Sequence, residues 1–254
     1  MKQKSRTEYS VMNTTVAFLA QTLAIFMGFF TRVVFTRTLS EGYVGINGLF
    51  TDILNILSLS ELGVGTAITY ALYAPIARRD IKKQQILMRM FRNFYRITAG
   101  FVLLAGLCLI PFLDILMKDR PDVNHLIIIY LLYLLNSVVS YLLIYKKTLV
   151  DAHQMNYITV MYHNGFLVLQ DILQIIVLFL TRNFILFLVI AVVCTIIGNI
   201  CMSRRADRLF PYLKEPCKEQ LPQEERHDIL RNVKAMLMHK IGNVVVNNTD
   251  NLLI

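Results

Sequence analysis

The chain lacks any cluster of reactive side chains at a recognisable spacing. Its five histidines, at 125, 153, 163, 227 and 239, are scattered, with no HExxH pair and no Cys/His ligand set. No phosphate-binding Gly-Lys loop is present, which argues against direct nucleotide coupling within this sequence. Cysteine is scarce as well. Cys108, Cys194 and Cys201 lie in apolar runs and Cys217 stands alone in a polar stretch, a distribution that fits neither a disulfide framework nor a zinc site. The nearby Asp151 and His153 read as solvated loop surface. No cleavable signal is visible in the sequence: the first apolar run starts near Tyr9, has no small-residue cleavage pattern and is followed by further apolar runs.

Charge is low, at 17% of 254 residues, while 56% are hydrophobic and the mean hydropathy is +0.52. That balance places the chain among all-α integral membrane proteins. The net charge of +9 does not point to nucleic acid, because the basic residues sit in short clusters between apolar runs. Such clusters orient a protein in a bilayer and attract anionic lipids. A bilayer core needs about 20 apolar residues of helix, and six stretches qualify: 10–31, 43–74, 94–117, 125–145, 157–181 and 183–202. The second is long, so it is tilted, broken near Gly63–Gly65, or begins outside the hydrocarbon. Between the fifth and sixth, Thr181-Arg182-Asn183 predicts a tight hairpin.

Alternate connections carry most of the basic residues, among them Arg78, Arg79, Lys82, Lys83, Lys146, Lys147, Arg204 and Arg205. The other set holds only Arg32, Arg37, Lys118, Arg120 and Arg182, so the amino terminus is expected in the cytoplasm. Three units follow: a six-span lobe over 1–202, a polar cytoplasmic linker over 203–233, and the start of a seventh helix over 234–254. The last run is too short for an ordinary span, which predicts half of a longer two-lobe protein.

Polar residues recur inside the apolar runs. Thr14, Gln21, Gly28 and Arg32 share one face of the first at helical spacing. In the second, Gly48, Asn55, Ser58, Gly65 and Thr69 form a face flanked by Asp52 and Glu61. The fourth offers Tyr130, Tyr133, Asn136, Ser137 and Ser140, and the fifth Gln170, Asp171 and Gln174. Small and polar residues on one face often mean only close helix packing. Carboxylates in hydrocarbon are costlier and usually face a protein interior or a water-filled cavity.

Two blocks carry a resemblance. Gly42-Tyr43, Gly45, Gly48-Leu49-Phe50, Leu57-Ser58-Leu59 and Glu61-Leu62-Gly63 run on into Ala67-Ile68, Tyr70 and Leu72-Tyr73-Ala74-Pro75-Ile76-Ala77. This first block resembles that of Wzx-type polysaccharide flippases, within the multidrug/oligosaccharidyl-lipid/polysaccharide exporter superfamily. The closing block, His239-Lys240-Ile241-Gly242 followed by Asn248-Thr249-Asp250, is similar to the start of their seventh span.

The resemblance implies twelve to fourteen spans in two six-helix lobes around a central cavity. It implies alternating access, coupled to an ion gradient, in a bacterial cytoplasmic membrane. The implied cargo is an undecaprenyl-pyrophosphate-linked oligosaccharide. Membrane lipids and a polysaccharide polymerase would be the partners, with no cofactor and no enzymatic step. On that reading Arg32 and Arg37 attract the pyrophosphate, while Asn55, Ser58 and Gln174 bond sugar hydroxyls. Asp52, Glu61 or Asp171 binds the coupling cation or proton. The same residues also admit a drug/cation antiporter, a peptidoglycan-precursor flippase, or a lone lobe without activity. A polymerase or ligase would be expected to carry a large outward loop, and the outward connections are short.

Overall fold

The computed structural model of the chain describes residues 6–58, 64–113, 123 and 125–215, with scattered positions between 221 and 238. Among these residues every regular element is helical. The helices are α1 (Arg6–Thr38), α2 (Glu41–Ser58), α3 (Val64–Ala77), α4 (Ile81–Leu109), α5 (Leu126–Tyr141), α6 (Ile144–Ala152), α7 (Asn156–Thr181) and α8 (Phe184–Leu209). Short 3₁₀ turns follow α4 and α8, at Ile110–Phe112 and Pro211–Lys214.

Five segments are long and apolar enough to cross a membrane: Thr7–Thr38, Ile81–Phe112, Leu126–Ala152, Asn156–Thr181 and Phe184–Leu209. The chain is accordingly a multi-pass membrane protein in character. Among the described residues five such segments stand where the sequence predicts six spans, the second of them tilted, broken or begun outside the hydrocarbon. The second apolar stretch folds as two helices, with α2 ending at Ser58 and α3 starting at Val64, so neither half is a long apolar rod. Residues 59–63, including Gly63 of the expected Gly63–Gly65 break, lie outside the described residues. A second interruption was not legible: within the fourth stretch, Leu142 is extended and Leu143 is left-handed at φ 70°, separating α5 from α6.

Elsewhere local chemistry sets the boundaries. Asp80 caps α4 by accepting from the Lys83 amide at 2.9 Å, so α4 starts well before the predicted residue 94 and takes Lys82, Lys83, Arg89 and Arg92 into its first turns. Arg182 is left-handed at the end of α7, and the Asn183 side chain accepts from the Ile185 and Leu186 amides, which makes the predicted hairpin.

One end of the lobe gathers the basic connections. There the Asn13 amide of α1 donates to the Gln154 carbonyl at 2.9 Å and its oxygen accepts from the Tyr157 amide at 2.8 Å. Tyr212, just past α8, accepts at its carbonyl from Gln85 of α4 at 2.6 Å and donates its hydroxyl to Gln84 at 2.5 Å. Burial pushes the Tyr212 phenol up to about 12, so it stays protonated and a donor. The first part of the predicted 203–233 linker is thus α8 and a turn seated on α4; residues 216–220 and 239–254 lie outside the described residues.

At the opposite end an aromatic cluster closes the core. Phe184 of α8 meets Phe35 of α1 at 5.6 Å and Tyr43 of α2 at 5.2 Å. Deeper in, Phe50 of α2 stands edge-on to Tyr130 of α5 at 5.1 Å, and the Tyr130 hydroxyl donates to the Gly106 carbonyl of α4 at 2.7 Å. Gly106 allows that approach, because a Cβ there would run into Leu134.

Candidate functional site

Polar side chains meet along two seams and around one cavity. In the first seam α1 lies on α7: Gln21 accepts from Asn164 at 3.5 Å, and Asp171 lies beside Thr31, whose hydroxyl donates to the Met27 carbonyl at 3.0 Å. The second joins the two interrupted stretches, where Tyr133 of α5 donates its hydroxyl to Asn47 of α2. Both seams place hydrogen bonds in a region where an unsatisfied group would have no water to turn to.

The cavity lies at the interruption of the fourth stretch. It has a volume of about 230 Å³ and is lined in part by Ser140, Lys147, His163, Gln170 and Asn199. The interruption opens it: with two residues out of helix, the α5 carbonyls lose their own-helix partners. Asn199 of α8 compensates by donating to the Val139 carbonyl at 2.9 Å, alongside the Leu142 amide. A wider groove of about 490 Å³ flanks the other side of Lys147 and His163, with Phe18, Gln21 and Ile25 of α1 among its walls. Lys147 and His163 border both spaces.

The residues singled out from the sequence are dispersed. Asp171 is half-buried and faces α1. Gln174 is buried and donates to the Phe187 carbonyl of α8 at 2.9 Å, while its own oxygen accepts from Gln170 at 3.4 Å. That makes it a bridge between two helices. Arg32 is exposed, stands over the Phe35 ring at 5.7 Å and lies within electrostatic reach of Tyr133. Arg37 is exposed in the last turn of α1, and Asp52 and Asn55 are exposed on α2. Ser58 ends α2; its side chain, and Glu61 altogether, lie outside the described residues.

Lys147 and Asn199 were missed. Lys147 had been counted among the basic residues of a connection; it stands in α6, beyond the break that ends the helical register of Ser140. Asn199 gave no signal, since it stands alone on an apolar helix. Among the described residues no three His, Cys, Asp or Glu side chains converge as a metal set would. No protein-family model, curated protein or solved structure matches the chain.

Proposed function

We propose that the chain is a membrane lobe of an exporter that moves lipid-linked oligosaccharide units across the bacterial cytoplasmic membrane. One observation carries the transport part: an apolar stretch is interrupted at Leu142–Leu143, and polar side chains line the cavity beside the interruption. Irregular backbone at membrane depth is tolerated where it is buried in protein or lines a cavity, and interrupted helices commonly build the binding sites of transporters. An anchor or a simple scaffold needs neither. The oligosaccharide part rests on the resemblance of residues 42–77 to polysaccharide flippases. On this reading the basic end faces the cytoplasm, and the exposed Asp52, Asn55 and Arg32 turn toward the second lobe.

The test is complementation of a flippase-deficient strain with the intact gene, scored by surface polysaccharide and by the leaflet in which the lipid-linked unit accumulates. Restored export that is lost in Asp52→Asn and Arg32→Gln supports the reading. Normal expression with no export, or efflux of a soluble cationic drug instead, overturns it in favour of an antiporter or an inactive lobe.

A further inference from the structure

Lys146 and Lys147 are neighbours in sequence with opposite circumstances. The Lys146 ammonium is fixed by Asp207 at 2.8 Å and donates to Ser203 at 2.9 Å, both on α8. Lys147, about 100° around the helix, has no hydrogen bond or ion pair among the described residues. It is half-buried between the two spaces described above. Asp151, one turn on, lies within electrostatic reach of Lys147 without an ion pair and accepts from the Thr159 hydroxyl at 2.6 Å. A part-buried cation beside hydroxyl and amide groups is arranged for an anion.

Depth and shape narrow the choice. Lys147 lies five residues before the end of α6, about 8 Å at 1.5 Å per residue. That places it near the lipid headgroup level at the basic end. From there the groove runs along α1 past Phe18 and Ile25, which are 70% and 62% exposed. It therefore offers one cationic group at headgroup level, with an apolar wall leading into the hydrocarbon.

We infer that this groove is a binding site for an anionic phospholipid of the membrane, its phosphate at Lys147 and an acyl chain along Phe18 and Ile25. The site needs only the membrane-spanning character of the chain, so it stands or falls independently of the transported substrate. Lys147 would be the specificity-determining contact and the α1 face the affinity-determining one.

Native mass spectrometry of the detergent-purified full chain, titrated with phosphatidylglycerol or phosphatidylcholine, tests it. Lys147→Gln should weaken phosphatidylglycerol binding about five-fold, the loss expected for one lysine near an anionic lipid. Phosphatidylcholine binding should change far less. Phe18→Ser should weaken long-chain phosphatidylglycerol more than its short-chain form. Arg204→Gln, an exposed basic residue on α8 outside the groove, should leave both unchanged. Equal binding of phosphatidylglycerol to wild type and Lys147→Gln, with matching thermal unfolding, would overturn the site. Binding of inorganic phosphate at Lys147 that is indifferent to Phe18→Ser would overturn the lipid in favour of a free anion.

Discussion

The second and fourth apolar stretches are both interrupted, but by different means. In the second, α2 stops at Ser58 and α3 resumes at Val64, in a neighbourhood supplied with Gly63 and Gly65. The fourth breaks at Leu142 and Leu143, among some of the best apolar helix formers available. A left-handed leucine costs about 1–2 kcal/mol. What holds it there is tertiary: Asn199 on the Val139 carbonyl, Lys146 on Asp207, and Leu149 and Val150 buried in the core. The second stretch passes between its two helices through a glycine-bearing sequence, whereas the fourth turns at leucines held by contacts from α8 and the core.

The two are also tied to each other, and the largest expected effect comes from cutting that tie. Phe50 is fully buried and stands edge-on to both Tyr130 and Tyr133 of α5, next to the Tyr133–Asn47 hydrogen bond. Phe50→Ala should cost about 3–5 kcal/mol by opening a cavity between α2 and α5. Thermal unfolding in detergent checks this. A loss below about 1 kcal/mol would mean that the interrupted stretches are seated independently, and the comparison would lose its structural basis.

Legibility follows the same division. Membrane character and the Arg182–Asn183 hairpin were readable, because each depends on composition or on residues with strong local preferences. The start of α4 was misplaced because Lys82, Lys83, Arg89 and Arg92 look like a loop until Asp80 is recognised as a cap. The interruption at Leu143 could not be read, since the contacts that surround it are tertiary, among them an asparagine 56 residues further along the chain. The surroundings of polar residues were least legible of all: the sequence did not show that Gln174 donates to the Phe187 carbonyl of α8, nor that Lys147, counted with a basic connection, borders two cavities. Periodicity assigns a residue to a face but does not say which neighbour covers that face.

An intermediate effect separates the two interruptions. Asn199→Leu removes the lateral donor to Val139 and should cost about 1–2 kcal/mol, the usual penalty for a less satisfied buried carbonyl. Hydrogen–deuterium exchange locates the damage. Amides from 139 to 146 should exchange faster, while those of α2 from 41 to 58 stay as in the wild type. Uniform acceleration across both regions would show that α8 supports the whole lobe and not the Leu143 interruption in particular.

The smallest expected effect is a pH dependence confined to the fourth stretch. His153 closes α6, its ring 4.5 Å from that of Phe210 and its Nε2 buried without a partner, whereas residues 41–77 contain no histidine. Burial holds the His153 pKa below its ordinary 6.5. The unfolded chain therefore takes up a proton first as the pH falls below 6.5, and the folded state loses stability until its own lower pKa is passed. Lowering the pH from about 7.5 to about 5.5 should reduce the unfolding midpoint of the wild type by less than Asn199→Leu does. His153→Gln, which cannot take up that proton, should flatten the slope. An unchanged slope would assign the acid sensitivity to carboxylates elsewhere, and the end of α6 would then be as indifferent to pH as the second stretch.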